Sequence, residues 1–317
     1  MATTVTVLAQ HAPQAPRLQQ LLGEGFIVQG QAALPAEGPI VTDVLVTTRL
    51  TAQEAPRLQA RLLQAPGAGL DAIALDALPA HCRVCNVYEH EIPIAEFVTR
   101  AVLDWVIFPE GDRFAMDAAH WAATYRGRAV HGEAFGRRAA IVGFGAIGQA
   151  TAARLRALGL HVTAVTRHAR LEPGADATHP VADLAALLPA VDVLVLCCPL
   201  NDSSRGLVGA RELAGLRSDA LLVNVGRAEL VQPQPLYETL QARRLGRAVL
   251  DVWYRYPTPD HQGPLEPAEF PLTQLPNVRS TPHVSGWTHG LLERRYAFMA
   301  RNIARLAAGE PLHNQQR

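Results

Sequence analysis

The chain carries no excess of charge of either sign: Lys+Arg and Asp+Glu each number 29 among 317 residues. That balance removes the usual electrostatic reason for binding nucleic acid or an anionic membrane, so any anion site must be built locally from a few basic groups. Long hydrophobic runs are missing too. The apolar stretches are strand-sized, far short of the roughly 20 residues that a membrane helix needs. Met1 to Gln10 has neither the basic start nor the apolar run of a secretory leader. Cysteine is scarce, and Cys82, Cys85, Cys197 and Cys198 fit reduced thiols in a cytosolic protein. Cys82 and Cys85 form a CxxC spacing, but they lie in a segment that reads as a strand and no second Cys or Cys/His pair follows, so no metal site is expected. These absences predict a cytoplasmic protein without nucleic-acid or membrane partners.

What is present can bury substantial cores. Hydrophobic residues make up 49% of the chain and charged ones 18%, the balance of a folded chain and not a disordered one. Its length exceeds what one core usually serves, so two domains are expected. In the first ninety or so residues, patterns of buried strands (Val5–Leu8, Phe26–Val28, Val44–Val46) alternate with helical ones (Leu18–Leu22, Ala52–Leu63), which predicts a small parallel α/β layer. A long helix is expected over Ile94–Phe108, then a polar stretch with Trp121, Arg126 and Arg128. A second α/β unit follows, with strands at Ala139–Val142, Val162–Val165, Val191–Leu196, Leu221–Asn224, Ala248–Leu250 and Val278–Ser280. Continuous apolar runs of this kind suit a parallel sheet covered on both faces. Tyr256–Leu275 reads as a surface insertion, and Leu291–Ala308 as a final helix belonging with the first domain. The expected boundaries are 1–92 plus 288–317 for a substrate domain and 93–287 for a nucleotide domain.

The sharpest motif is Gly143-Phe144-Gly145-Ala146-Ile147-Gly148. A bare GxGxxG is weak evidence, but here it follows a strand and opens a helix that Gly159 can end. Gly143 permits the tight turn, Gly145 lets the backbone approach a pyrophosphate, and Gly148 lets helix and strand pack closely. The helix N-terminus then presents unpaired N–H groups and a positive dipole end to the phosphates. The end of the next strand reports on the ribose. An NAD site usually has a carboxylate there; this chain has Thr166-Arg167-His168-Ala169-Arg170, where Arg167, His168 and Arg170 favour a 2′-phosphate, and therefore NADP(H) over NAD(H).

Two further segments carry reactive side chains. Asn224-Val225-Gly226-Arg227 ends a strand of the second unit, where ligands sit in α/β sheets. Thr281-Pro282-His283-Val284-Ser285-Gly286 follows the last strand. A cation and an acid in these places suit the reduction of a keto carbon, whose oxygen must be polarised and protonated.

With these segments in order, the chain resembles the D-isomer-specific 2-hydroxyacid dehydrogenase family, including the glyoxylate/hydroxypyruvate reductases and phosphoglycerate dehydrogenases. The resemblance covers nearly the whole chain: Gly67-Ala68-Gly69-Leu70-Asp71, Asn86, Ala95-Glu96, the glycine motif, Pro199-Leu200, Asn224 to Arg227, Leu250-Asp251-Val252, Pro282-His283 and the Gly309-Glu310-Pro311-Leu312 tail. It implies two parallel-sheet domains, Rossmann-like and flavodoxin-like, with a cleft between them, and a homodimer, for which Arg113 to Arg128 is the candidate interface. It also implies roles. Arg227 holds the substrate carboxylate and keto oxygen, and His283 is the general acid and base. The N–H groups of Ala68 and Gly69 bind the carboxylate. Asp251 contacts the nicotinamide carboxamide. Ala146 and Ile147 flank the pyrophosphate, while Cys198 with Pro199, Val225 with Gly226, and Ser285 with Gly286 line the nicotinamide half. Tyr88 and Trp287 are candidate substrate contacts, with hinge or core packing as the alternative for each.

The chain also departs from the family. Five residues after the Asp of its Asp-Val motif the family has a Glu that bonds the catalytic His; here the position is Tyr256. A phenol can orient an imidazole but offers no negative charge near neutral pH, so His283 is expected to titrate lower than in relatives unless Glu89, Glu91 or Asp260 supplies a carboxylate. The Gly that follows the catalytic Arg in the family is Ala228. These departures keep two rival functions open: a superfamily dehydrogenase of another substrate such as formate or phosphite, and a non-catalytic nucleotide-binding scaffold or sensor.

Overall fold

The computed structural model describes residues 2–108, 117–128, 130–168, 170–258 and 261–317. The chain divides into two compact units, Met1–His90 with Trp287–Arg317, and Glu91–Gly286.

In the first unit, β1 (Thr3–Leu8), β2 (Phe26–Gln31), β4 (Val44–Val46), β6 (Leu62–Gln64) and β7 (Arg83–Cys85) form a five-stranded parallel sheet in the order β2-β1-β4-β6-β7. Two short strands, β3 (Ile40–Val41) and β5 (Leu58–Gln59), pair separately. Successive side chains of a strand point to opposite faces, so each strand feeds two cores. Val44 and Val46 join Val5, Val7 and Leu18 of α1 (Ala15–Leu22) under Tyr296, Met299, Ile303 and Leu306 of the C-terminal helix His289–Ala308. Leu45 faces the other way, with Leu50, Leu58, Leu63 and Val84. The C-terminal helix therefore completes the first unit.

Two expectations for this unit are corrected. Ala52–Leu63 is not a helix. Its apolar positions fit a helical period, but Ala55–Arg57 makes only a 3-10 turn and Leu62 and Leu63 leave it to pair with β4 and β7. The sheet partners outweigh local propensity, and both leucines are fully buried as a result. Phe26–Val28 is a strand, but an edge one: Ile27 is 47% exposed.

In the second unit, β8 (Arg138–Val142), β9 (His161–Thr166), β10 (Ala177–Pro180), β11 (Val193–Leu196), β12 (Leu221–Asn224), β13 (Arg247–Leu250) and β14 (Val278–Ser280) make a seven-stranded parallel sheet. Its order is β10-β9-β8-β11-β12-β13-β14. The strand order reverses between β8 and β11, where doubly wound sheets bind their ligands at the carboxyl ends of the strands. The helices are α2 (Glu91–Ile107), α3 (Ala118–Thr124), α4 (Ala146–Ala157), α5 (Leu184–Leu187), α6 (Ala210–Gly215) and α7 (Pro233–Gln241). Buried α2 residues such as Val98 and Val102 share one core with Ile141, Ala152 and Leu155, while Leu194, Leu222, Leu236 and Leu240 fill the other. The polar stretch expected around Trp121 contains α3, capped by Asp117, whose carboxylate accepts from the His120 N–H at 2.7 Å. Among the described residues, no helix is long and apolar enough to cross a membrane and no group of three or more His, Cys, Asp or Glu is placed to hold a metal ion. Cys82 and Cys85 point into opposite cores of the first unit.

Candidate active site

The glycine turn has the shape its sequence demands. Gly143 leaves β8 with φ +94°, and a Cβ there would lie 2.6 Å from the Cys198 Cα, so no other residue fits. A Cβ on Gly148 would come 2.3 Å from the Gly143 carbonyl oxygen, which is how α4 packs close to its strand. A Cβ on Gly145 would meet nothing within 4 Å. Gly145 is the N-cap of α4 and contributes no capping side chain, so the first-turn N–H groups, Ala146 and Ile147 among them, face open space. This cradle fits the pyrophosphate of a dinucleotide. At the end of β9, Arg167, His168 and Arg170 are exposed, and the turn is closed by the Thr166 hydroxyl donating to the His168 carbonyl at 2.5 Å. Ala169 lies outside the described residues. Beside the turn, burial pushes the Cys198 thiol up to about 11, and Cys197 is raised further for the same reason. Both remain thiols at neutral pH and neither is a nucleophile.

Arg227 is held by the strand end before it. Asn224, buried at the end of β12, donates from Nδ2 to the Arg227 carbonyl at 2.9 Å and accepts from the Gly226 N–H at 3.1 Å. These two bonds close the turn Asn224–Arg227. The Arg227 guanidinium itself donates to the Gly226 carbonyl at 2.9 Å. Ala228, in place of the family's glycine, enters a short 3-10 turn and is buried without a positive φ.

His283 is fixed from the next strand. Asp251 follows β13, is fully buried, and spends its carboxylate on the segment 281–285. Oδ1 accepts from the Thr281 hydroxyl at 2.5 Å and the Val284 N–H at 2.8 Å, and Oδ2 from the Ser285 N–H at 2.9 Å. The loop needs such anchoring because His283 sits at φ +59°, a conformation costly for a side chain with Cβ. The sequence reading gave Asp251 a cofactor contact and did not foresee this anchoring role.

The His283 imidazole meets Tyr256: Oη lies 2.9 Å from Nδ1. The same hydroxyl oxygen accepts from the Trp253 N–H at 3.1 Å, which holds the phenol in place. Burial keeps the His283 pKa below its ordinary value. Asp251 pulls it up and the positive charge of Arg227 pulls it further down. Arg227 also acts on Tyr256, whose pKa burial raises. Guanidinium, phenol and imidazole thus share one electrostatic neighbourhood although the sequence separates them by up to 56 residues, from Arg227 to His283. Of the carboxylates offered as substitutes for the missing Glu, Glu89 is paired with Arg294 at 3.1 Å. Glu91 opens α2, and Asp260 lies outside the described residues.

Four predicted substrate contacts, Ala68, Gly69, Tyr88 and Trp287, lie in the first unit. Ala68 and Gly69 sit in the loop after β6, tied by Asn86, which donates to the Ala68 carbonyl at 3.0 Å. Tyr88 and Trp287 are 40% and 45% exposed, and the Trp287 ring stands edge-on to His11 at 5.9 Å. In the second unit, Trp121 of α3 and Tyr125, which follows that helix, are half exposed, with ring centroids 4.6 Å apart and planes tilted by 43°. Residues 113–116 of the candidate dimer interface lie outside the described residues.

The profile of the D-isomer specific 2-hydroxyacid dehydrogenase NAD binding domain matches residues 108–285, more than half of the chain. The chain belongs to that family. It is 30% identical over 178 residues to a glyoxylate reductase of Thermococcus gammatolerans, covering 56% of this chain and 51% of the relative. It is 32% identical over 197 residues to glyoxylate/hydroxypyruvate reductase B of Escherichia fergusonii, covering 60% and 56%. The matches thus span about half the length of these relatives. Among solved structures, an NADPH-dependent glyoxylate/hydroxypyruvate reductase from Sinorhizobium meliloti, in complex with NADP and sulfate, has the same two-sheet parallel α/β fold. The TM-score is 0.78 at 24% identity, over 99% of this chain and 98% of that one.

Proposed function

We propose that the protein is an NADP(H)-dependent oxidoreductase that interconverts a small 2-keto acid and the corresponding 2-hydroxy acid. The observation that carries this reading is His283: a histidine in a strained backbone conformation, tethered through Asp251, oriented at Nδ1 by Tyr256 and close to the charge of Arg227. A nicotinamide cofactor held at the Gly143–Gly148 turn would supply the hydride in reduction and take it up in oxidation. Everything else falls to side chains of this chain. In reduction, Nε2 of His283 donates a proton to the keto oxygen; in oxidation it removes one from the hydroxyl. Arg227, fixed by Asn224, binds the carboxylate and draws charge from the keto oxygen. The N–H groups of Ala68 and Gly69 are assigned to the same carboxylate, and Tyr88 and Trp287 to the substrate side chain.

Preference for NADP(H) is supported by the exposed Arg167 and Arg170 after β9, where no carboxylate would repel a 2′-phosphate, and by the NADP held in the Sinorhizobium meliloti structure. On this reading residues 93–287 form the nucleotide domain and 1–92 with 288–317 the substrate domain. The pair Trp121–Tyr125 belongs to a homodimer contact.

The test is NADPH oxidation, followed by absorbance, with glyoxylate, hydroxypyruvate and phenylpyruvate, repeated for His283→Ala. Turnover that the substitution reduces by about 1,000-fold or more supports the proposal. Tight NADPH binding without turnover of any keto acid replaces it with a nucleotide-binding scaffold, and turnover of formate or phosphite alone with a different dehydrogenase.

A further inference from the structure

The Trp253 side chain has no part in the chemistry above. Its ring lies in the core of the second unit with Leu250, Ala268 and Leu272 and is only 6% exposed. A phenylalanine ring would fill much of that space. Only an indole, however, brings a donor, and a buried Nε1–H must find an acceptor. It finds one 28 residues away, donating to the Thr281 carbonyl at 2.8 Å.

That carbonyl is the oxygen on which the histidine turn closes. The His283 N–H donates to the same Thr281 oxygen at 3.0 Å. A bond from the third residue back to the first makes a three-residue turn around Pro282, whose ring fixes its φ. His283 leaves this turn at φ +59°. Asp251 holds the Thr281 hydroxyl and the N–H groups of Val284 and Ser285. A carboxylate can only accept, so the carbonyl side of the turn is left to Trp253.

The same residue reaches the partner of the imidazole. The Trp253 main-chain N–H donates to the Tyr256 hydroxyl oxygen at 3.1 Å, and that oxygen lies 2.9 Å from Nδ1 of His283. Trp253 therefore grips the phenol with its backbone and the histidine turn with its ring. All of these groups belong to the second unit. The charged and titratable groups that act on the pair are Asp251 and Arg227 on the imidazole, and Arg227, Asp251 and Glu229 on the phenol. Removing the indole donor alters none of them.

We infer that Trp253 is a positioning residue for His283: its two N–H groups, one on the Thr281 carbonyl and one on the Tyr256 hydroxyl, set the separation of imidazole and phenol. The inference rests on the proton-transfer role proposed for His283 and adds the residue that keeps that group in place.

The experiment compares the wild type with Trp253→Phe and with a protein carrying benzothienylalanine at position 253. Benzothienylalanine has the shape of tryptophan with sulfur in place of Nε1–H, so it removes the donor and little else. Two quantities are measured: kcat and KM for glyoxylate with NADPH, and the titration of the His283 ring nitrogens by NMR, assigned through their absence in His283→Gln. Both replacements are expected to lower kcat tenfold or more with KM within about twofold. Both are expected to raise the His283 pKa by about half a pH unit or more, because an imidazole released from the phenol meets water. A general loosening of the core would lower kcat without moving that titration. Either quantity left at its wild-type value in the benzothienylalanine protein overturns the inference. If Trp253→Phe does not fold, the benzothienylalanine protein, which keeps the packing, decides alone. If the wild type turns over no keto acid, the keto-acid reading has failed separately. The His283 titration then decides by itself: a shift supports the tether and a wild-type curve overturns it.

Discussion

The Tyr256 hydroxyl lies 2.9 Å from Nδ1 of His283, at the position where the family resemblance implies a carboxylate. A carboxylate can only accept from Nδ1–H and stabilises the imidazolium. A phenol can accept from Nδ1–H or donate to a bare Nδ1, so it orients the ring without fixing its charge. Because burial already lowers the His283 pKa, the proton that the proposed function assigns to reduction would be lost at a lower pH than from a free histidine.

That arrangement sets the pH profile. Reduction needs protonated His283, so its rate falls as pH rises through the lowered pKa, while oxidation gains. Tyr256→Glu restores a negative charge and is expected to move the upper limb of the reduction profile upward by about one pH unit or more. Tyr256→Phe is expected to cut kcat about tenfold with little change in KM. Superimposable profiles of kcat for wild type and Tyr256→Glu would show that the phenol does not govern His283.

The Asp251 carboxylate takes three donors of the 281–285 segment. Asp251→Ala leaves them unpaired in a buried place and is expected to cost roughly 3–5 kcal/mol of stability, seen as a lower urea midpoint. Asp251→Asn, which keeps one acceptor oxygen, is expected to fold but to lose about 100-fold in kcat through a misplaced His283. Wild-type kcat in Asp251→Asn would show that the anchoring bonds do not position the acid.

At the nucleotide turn, Gly143→Ala places a methyl against the Cys198 backbone and in a positive-φ conformation. NADPH binding, measured by fluorescence titration, is expected to weaken at least 100-fold, with a fall in melting temperature. Arg167→Ser combined with Arg170→Ser tests the other end of the cofactor. The ratio of kcat/KM for NADPH over NADH is expected to fall about 100-fold, chiefly through KM for NADPH.

His11 reports on the first unit. Burial lowers its folded pKa to about 4 against an ordinary 6.5, so the unfolded chain binds the proton more tightly. The stability that neutral His11 permits is therefore complete above pH about 6.5 and is lost as pH falls toward 4, by about 3 kcal/mol in all. Urea unfolding of His11→Phe between pH 7 and 4 is expected to show a shallower loss of stability than the wild type. Parallel curves would mean that His11 does not carry this linkage.

Most of both sheets is legible in the sequence because strands covered on two faces must be apolar throughout, as Val193–Leu196 and Leu221–Leu222-Val223 are. Where that condition lapses the reading fails. The edge strand Ala177–Pro180 has no buried residue and gives no signal, and the stretch 52–63 mimics a helix because its apolar spacing serves two strands and a turn. The glycine turn, Arg227 and His283 are legible because backbone geometry and chemistry restrict those positions to few residue types. The anchoring by Asp251 is not, since bonds from one side chain to a hydroxyl and two backbone N–H groups 30–34 residues away leave no local pattern. Trp253 and His11 escape for the same reason, being ordinary residues until the fold brings them to Thr281 and Tyr296.

Asn224 and Asp251 stand at the ends of adjacent strands, and each uses a buried side chain to lash down one of the two reactive groups. Acid and anion clamp are therefore bolted to the same rigid frame, leaving little room to adjust one without disturbing the other. Substitutions that leave Asn224 and Asp251 in place therefore leave both tethers intact, whatever changes elsewhere in the chain.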